Sequence, residues 1–176
     1  MLTITLPDGS LKTYNSNVTP IKIAEDISSS LKKSAIIAKV NGDYWDIDRE
    51  ISKDCSVSIL KKGDNETLEV LRHDCAHILA EAVLEIYPET QVTIGPVIEN
   101  GFYYDFFRKA PFTSEDLIIF EKKMHEIVNR SEKITRKVWS RDDAIKFYEE
   151  KNEPFKVELI NDIPSDQELT FYDQGQ

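Results

Sequence analysis

The chain has 176 residues, which is room for one full domain or two small ones. Its formal charge of −10 argues against broad electrostatic binding to nucleic acid or anionic membranes, although a local nucleic-acid contact stays compatible with it. The chain holds only two cysteines, no signal-peptide pattern and no apolar run near the roughly 18 residues that span a bilayer. A reducing cytoplasm without membrane contact is therefore the expected location.

The charge is unevenly distributed along the chain, and this predicts two units. Residues 1–62 carry 9 Lys/Arg and 8 Asp/Glu, a net of +1, whereas residues 63–176 carry 13 and 24, a net of −11. A short polar break over residues 61–65 separates the two compositions. We therefore predict one domain over 1–62 and a second over 63–176.

The first 62 residues predict short strands around one helix. Apolar and polar residues alternate over 2–6, Pro7-Asp8-Gly9 is typical of a turn, and a strand over 11–14 completes a hairpin. Thr19-Pro20 predicts a helix start, since threonine is a good N-cap and proline suits the first helical position. The apolar face of that helix is predicted to contain Ile23, Ala24, Ile27 and Leu31. Two further strands are predicted over 35–40 and 55–60.

One long helical pattern runs from Glu66 to Ile86 and is stopped by Pro88. At about 100° per residue its side chains fall in an apolar core sector, an acidic sector facing water, and a third sector that carries His73 and His77. The predicted core sector comprises Leu71, Cys75, Ile78, Leu79, Ala82, Val83 and Ile86.

The rest of the second unit predicts further short strands and helices. Two strands flank a turn at 99–101, and a helix opens at Thr113-Ser114-Glu115-Asp116 with acidic residues in its first turn. The apolar face of that helix is predicted to contain Leu117, Phe120, Met124, Ile127 and Val128. Two further strands are predicted over 134–139 and 155–160, and a last helix over 141–151.

His73 and His77 are the sharpest candidates for chemistry. At positions i and i+4 of a helix, two side chains point the same way with Cβ atoms about 5–6 Å apart. Such a pair can share a metal or place two imidazoles on one small substrate, although a purely structural role stays open. A metalloprotease is disfavoured because Asp74 replaces the catalytic glutamate, and two histidines alone are too few for a stable zinc site.

Other residues carry weaker signals. Tyr103 and Tyr104 face opposite sides of a strand, so only one of them can point into a site. Lys156, between two apolar neighbours on a predicted strand, is either a site residue or a solvated lysine. Cys75 is expected in the core, and His125 at the surface or half-buried. The sequence lacks a Walker A loop and a Gly-x-Ser-x-Gly motif, so nucleotide hydrolysis and lipase-type chemistry have no support.

These motifs resemble the N-terminal part of bacterial-type threonyl-tRNA synthetases over essentially the whole chain. Residues 1–62, with Leu6-Pro7-Asp8-Gly9 and 38–42, resemble the TGS domain, a small ubiquitin-like β-grasp fold. The Arg-His-Asp-Cys-Ala-His run at 72–77 and the segment 94–105 resemble the editing domain of that family. The resemblance implies an α+β fold class, with a β-grasp domain followed by an α+β editing domain that has a mainly antiparallel sheet.

In that family the editing domain removes serine wrongly attached to the threonine tRNA. An aminoacyl ester is already activated, so its hydrolysis needs a positioned water rather than a strong nucleophile. Serine is one methyl smaller than threonine, and a synthetic pocket rejects a smaller substrate poorly, so a second, hydrolytic site is needed. The implied roles are catalysis or orientation of water by His73 and His77, positive charge from Lys156, and a substrate pocket lined by Gly95, Tyr104 and Tyr172.

The resemblance also implies partners and cofactors. The expected partner is the 3′ acceptor end of tRNA(Thr) with its seryl-adenosine moiety, and the editing site is expected to be metal-free, with ATP and zinc confined to the catalytic domain of the family. Residues 172–176 resemble the lead-in to a Cys-x-x-x-His element, which in that family supplies the other half of the editing site. We therefore expect this chain to be a fragment that hydrolyses the ester weakly or not at all. The fragment is expected to be a monomer, whereas the full-length enzyme is expected to be a homodimer. The alternatives are a non-catalytic TGS-type tRNA- or protein-binding module and a free-standing trans-editing hydrolase.

Overall fold

A computed structural model of the chain describes residues 1–175, which form two compact units. The first unit ends at Leu71 and the second begins at Arg72. The division lies a few residues beyond the predicted boundary at residue 62, because the first turns of the long central helix are counted with the first unit.

The first unit is built on one five-stranded sheet. Its strands are β1 (Leu2–Thr5), β2 (Leu11–Tyr14), β3 (Ala35–Val40), β4 (Asp43–Trp45) and β5 (Cys55–Lys61). β1 pairs antiparallel with β2 and parallel with β5, while β3 pairs antiparallel with both β4 and β5. The resulting order β2-β1-β5-β3-β4 confirms the predicted mixed sheet and adds β4, which the sequence pattern does not indicate.

Two helices replace the single predicted helix between β2 and β3. Helix α1 (Pro20–Ile27) begins as predicted, with the Thr19 hydroxyl as its N-cap. It ends because Ser28 adopts an extended backbone, and the Ser28 hydroxyl then caps helix α2 (Ser29–Ser34). Serine favours caps over helix interiors because its hydroxyl hydrogen-bonds to nearby backbone groups.

The core of the first unit contains side chains from the sheet and from α1. Ile4 of β1, Ile23 of α1 and Val57 of β5 are almost completely buried in it. Burial of an aliphatic side chain of this size stabilises a fold by about 1.5–3 kcal/mol. The same residues that carry the apolar pattern of the sequence therefore hold α1 on the sheet.

Helix α3 (Asn65–Ile86) has the predicted extent and buries only part of the predicted face. The prediction that Cys75 lies in the core is wrong, because its side chain is exposed. Leu71 of the predicted core sector is also 38% exposed. Ala82 and Val83 of that sector are buried as predicted, and Ala76 and Ala80, which lie outside it, are buried beside them.

Four two-residue strands follow α3: β6 (Gln91–Val92), β7 (Val97–Ile98), β8 (Gly101–Phe102) and β9 (Phe106–Phe107). β7 and β8 form the predicted hairpin, and β6 pairs antiparallel with β9. The two long predicted strands are interrupted at Gly95-Pro96, because proline has no N–H to donate to a sheet.

The last elements of the described chain are helix α4 (Ser114–Arg130), strand β10 (Ile134–Trp139), helices α5 (Arg141–Glu150) and α6 (Pro154–Asp162), and strand β11 (Leu169–Gln174). Strand β10 pairs antiparallel with β11, so every strand pair described in the second unit is antiparallel. These pairs are three separate two-stranded sheets rather than one.

Two predictions about these helices are wrong. The segment 155–160 is part of α6 rather than a strand, because Pro154 occupies the first helical turn, where its fixed φ suits a helix and its missing N–H costs nothing. Helix α4 begins at the predicted Thr113 cap, yet Leu117 and Val128 of its predicted apolar face are 61% and 55% exposed. Within residues 1–175, no helix is long and apolar enough to cross a membrane.

Candidate active site

His73 and His77 lie one turn apart on α3, and their Nε2 atoms are 3.0 Å apart. The ring centroids are 4.5 Å apart and the planes are nearly perpendicular, at 84°. At this distance one imidazole donates a hydrogen bond to the other, so the accepting nitrogen carries no proton. The structure thus confirms the common face predicted for the two histidines and gives the pair one donor and one acceptor.

Lys156 of α6 is a cationic group beside this pair. Its side chain is half-buried, and this desolvation lowers the pKa of Lys156. Desolvation, followed by the positive charges of His73 and Lys156, also lowers the pKa of His77 below its ordinary value. His77 is therefore neutral at pH 7, while its exposed edge stays accessible to a substrate or to water.

Tyr104 packs its ring directly on Gly95. A Cβ atom at Gly95 would lie 2.2 Å from Cδ2 and 2.5 Å from Cε2 of Tyr104, so only glycine fits under the ring. Tyr104 is half-buried and stacks on Phe106 at 4.9 Å, whereas Tyr103 is 46% exposed. Burial, with a smaller contribution from Glu153, raises the pKa of Tyr104, so its hydroxyl remains a proton donor.

Replacement of Gly95 by alanine is expected to displace the Tyr104 ring and to lower the free energy of unfolding by about 1–3 kcal/mol, as overpacking does. Gly101→Ala is the matched control, because no atom lies within 4 Å of the Cβ position of Gly101. Urea unfolding gives the two free energies, and the NMR signals of the Tyr104 ring report its displacement. Equal effects of the two variants would contradict the assigned contact.

Glu153 and Tyr148 also belong to this region, although the sequence interpretation did not assign them to a site. Glu153 lies between α5 and α6, and its N–H donates to the Tyr148 carbonyl at 2.9 Å. Desolvation is the largest influence on the pKa of Lys156, Tyr104 and Tyr148, and the charge of Glu153 contributes a smaller upward shift to each. The sequence Asn152-Glu153-Pro154 is typical of a turn before a helix and could have indicated these residues. The prediction of a strand over 155–160 led away from that interpretation.

Two contacts join the elements that carry these residues. Arg72 Nη1 donates to the Glu99 carbonyl at 2.8 Å and ties the β7–β8 turn to α3, one residue before His73. The rings of Phe107 and Phe155 are 5.9 Å apart and connect β9 with α6, one residue before Lys156. The elements that carry His73 and Lys156 are therefore each fixed to a neighbouring strand segment of the second unit.

Tyr172 lies on β11 opposite Arg136 of β10 and is 55% exposed. Its role in a substrate pocket stays a prediction. Gln176, the last residue of the segment that resembles the lead-in to a Cys-x-x-x-His element, lies outside the described residues.

The chemistry of this site is that of polar catalysis. An unprotonated imidazole nitrogen can orient water or accept its proton, and an ammonium group can stabilise negative charge that develops on a carbonyl oxygen. No group of three or more His, Cys, Asp and Glu side chains among residues 1–175 could hold a metal ion.

The first unit matches a known domain family. The family model described as "TGS domain" matches residues 2–61, which confirms the predicted β-grasp domain. The chain thus contains a TGS domain, followed by a second, α+β unit that carries a paired-histidine site.

Over nearly its whole length the chain is similar to the N-terminal part of threonine–tRNA ligases. It is 51% identical over 99% of its length to the enzyme of Rickettsia bellii, 50% over 99% to that of Ruegeria sp. TM1040, and 51% over 100% to that of Maricaulis maris. These matches confirm the resemblance that the motifs predict. The chain spans 27–28% of the length of these curated relatives.

Proposed function

We propose that the chain is the N-terminal region of a threonine–tRNA ligase and that its second unit belongs to the module that hydrolyses mischarged seryl-tRNA(Thr). The observation that carries this proposal is the His73–His77 pair at 3.0 Å, with Lys156 beside it. The full enzyme attaches threonine to its tRNA with ATP. We assign ATP and zinc to the catalytic domain of that enzyme, outside this chain.

In the proposed mechanism, a water molecule replaces the hydrogen bond between the two histidines: it donates to the unprotonated imidazole nitrogen, which aims it at the ester carbonyl and accepts a proton from it as it attacks. The water oxygen bonds to the carbonyl carbon, and the Lys156 ammonium stabilises the negative charge on the carbonyl oxygen. The bond from that carbon to the ribose oxygen then breaks. The ribose oxygen takes the proton that the imidazole accepted from the water, the second proton of the water passes to solvent, and serine leaves with a free carboxylate.

The substrate in this proposal is the 3′ acceptor end of tRNA(Thr) carrying a seryl-adenosine moiety. The Tyr104 hydroxyl is a proton donor fixed by its packing on Gly95, so it can orient the seryl group. The absence of a side chain at Gly95 lets backbone and substrate approach closely. Tyr172 completes the predicted pocket.

The test is deacylation of seryl-tRNA(Thr) by the full-length ligase that contains this region. His73→Ala is expected to lower the rate about tenfold, less than the ~10²–10⁴ expected of a sole acid–base group, because His77 retains part of the function. His125→Ala is the matched control, since His125 is an exposed histidine on α4. An unchanged rate for His73→Ala would exclude the assignment and favour a non-catalytic TGS-type binding module.

A further inference from the structure

We propose that Arg72 is a positioning residue, which fixes the segment that carries Tyr104 against the helix that carries the histidine pair. The catalytic consequence rests on the proposed function, whereas the hydrogen bond of Arg72 is a feature of the fold itself. In this scheme Arg72 contacts no reacting atom and acts through Tyr104.

The Arg72 side chain links α3 to the tip of the β7–β8 hairpin. Its Nη1 atom donates to the Glu99 carbonyl at 2.8 Å and lies 3.5 Å from the Ile98 carbonyl oxygen. Glu99 is one of the two turn residues between the paired Ile98 and Gly101, so its carbonyl lies outside the strand pairing. Arg72 therefore donates to an acceptor that the hairpin itself does not use.

The two arms of this hairpin stay paired from the tip to the position of Tyr104. The Tyr103 N–H donates to the Pro96 carbonyl at 3.3 Å. The Asp105 N–H donates to the Ile94 carbonyl at 2.9 Å. These two bonds lie on either side of Tyr104, whose ring packs on the opposite arm. A displacement of the tip is therefore transmitted along paired backbone to the Tyr104 ring.

The hairpin has little support of its own. Strands β7 and β8 contain two residues each, and an isolated hairpin is marginally stable at best in water. Its tip is exposed at Ile98, Glu99 and Asn100, so burial of apolar surface contributes little to its attachment. A hydrogen bond from a charged guanidinium is stronger than one between neutral groups, so Arg72 can hold the tip at a fixed distance from α3.

The position of Arg72 on α3 separates the tether from the reacting groups. Arg72 is half-buried, and Ala76, one turn further along the same side of the helix, is 1% exposed. His73 and His77 are exposed on the adjacent side. Arg72 therefore acts at the turn of α3 where the histidine pair begins, while the histidines stay accessible to a substrate.

The first test is amide hydrogen exchange of Tyr103 and Asp105 in this chain, measured by NMR. Arg72→Met is expected to raise both exchange rates at least about tenfold, the change that corresponds to loss of a hydrogen bond from a charged donor. The amide of the buried Phe120 reports global unfolding and is expected to keep its rate. Arg130→Met is the matched control, because Arg130 ties α3 to α4 instead. Unchanged rates in Arg72→Met, or an equal rise in Arg130→Met, would overturn the proposal.

The second test separates kcat from KM for seryl-tRNA(Thr) deacylation by the full-length ligase. Arg72→Met is expected to lower kcat by about 10–10²-fold with KM unchanged, because a misplaced orienting group lowers the rate rather than the affinity for tRNA. Arg130→Met is expected to change neither. A raised KM with unchanged kcat would overturn the positioning role and indicate that Arg72 contacts tRNA phosphates instead.

A double-mutant cycle with Tyr104→Phe tests whether Arg72 acts through Tyr104. In the Tyr104→Phe background, Arg72→Met is expected to lower kcat by about twofold or less, because the hydroxyl that it positions is already absent. Equal losses in the two backgrounds would overturn the action through Tyr104. Faster hydrogen exchange in Arg72→Met, together with a wild-type ligase that does not deacylate, would retain the tether and refute the proposed function instead.

Discussion

Replacement of Lys156 by methionine is expected to reduce the deacylation of seryl-tRNA(Thr) by about 10²–10³-fold, the loss typical when one group that stabilises an oxyanion is removed. Methionine keeps an apolar stem of similar length but cannot balance negative charge on the ester oxygen. The loss is expected to exceed that of His73→Ala, because His73 shares its role with His77, whereas no other described cation is assigned to the ester oxygen.

The measurement is the single-turnover rate of the full-length ligase, with Lys146→Met as the matched control. Lys146 is an exposed lysine on α5, so its substitution removes the same charge away from the site. A loss below tenfold, or equal to that of Lys146→Met, would contradict the role of Lys156.

Lys156→Met also has a readout that does not depend on activity. The charge of Lys156 is one of the causes that lower the pKa of His77. Its removal is therefore expected to raise the midpoint of the His77 NMR titration toward its ordinary value, whereas Lys146→Met leaves this midpoint in place. The direction follows because a neighbouring positive charge disfavours the imidazolium.

The histidine pair could be predicted from the sequence because it depends on one local rule. Two residues at i and i+4 share a helix face wherever the helix packs, and this spacing allows the 3.0 Å distance between the Nε2 atoms. The inward position of Tyr104 could not be predicted from the sequence alone. Alternation shows that only one of Tyr103 and Tyr104 points inward, but the choice between them is made by the fit of the Tyr104 ring on Gly95.

Lys156 was predicted as a site residue, but the secondary structure predicted around it is wrong. The run Phe-Lys-Val-Glu-Leu-Ile over 155–160 alternates like a strand, yet short runs of this kind fit a helix equally well. Pro154 at the helix start decides in favour of α6. The strand interpretation placed Glu153 outside the element of Lys156, and it therefore missed the hydrogen bond from the Lys156 N–H to the Glu153 carbonyl in the first turn of α6.

The faces of α3 and α4 depend on tertiary contacts that the sequence does not contain. Apolar residues surround much of each helix, so periodicity leaves several faces open to burial. The structure covers Phe120 and Ile127 but leaves Leu117 exposed, and it covers the alanines of α3 while it exposes Cys75. Hydrophobicity alone does not separate Leu117 from Phe120 and Ile127, because it does not include which neighbouring element packs on each residue.

Ile23→Ala and Ile27→Ala test, in the first unit, whether residues on one predicted apolar face are equally buried. The sequence places both isoleucines on the same apolar face of α1. Ile23 is fully buried, whereas Ile27, at the end of the helix, is 43% exposed. Ile23→Ala is expected to lower the free energy of unfolding by about 2–5 kcal/mol, because it leaves a cavity in a packed core. Ile27→Ala is expected to cost less than about 1 kcal/mol, since little buried surface is lost and alanine favours the helix.

Urea unfolding followed by Trp45 fluorescence measures both costs, in a shared Trp139→Phe background so that only the first unit reports. Trp45 packs against the core that contains Ile23. Equal costs for the two substitutions would mean that α1 continues past Ser28 and buries both isoleucines, as the periodicity alone predicts. Unequal costs would show that the extended Ser28, which ends α1 and caps α2, decides which isoleucine the core receives.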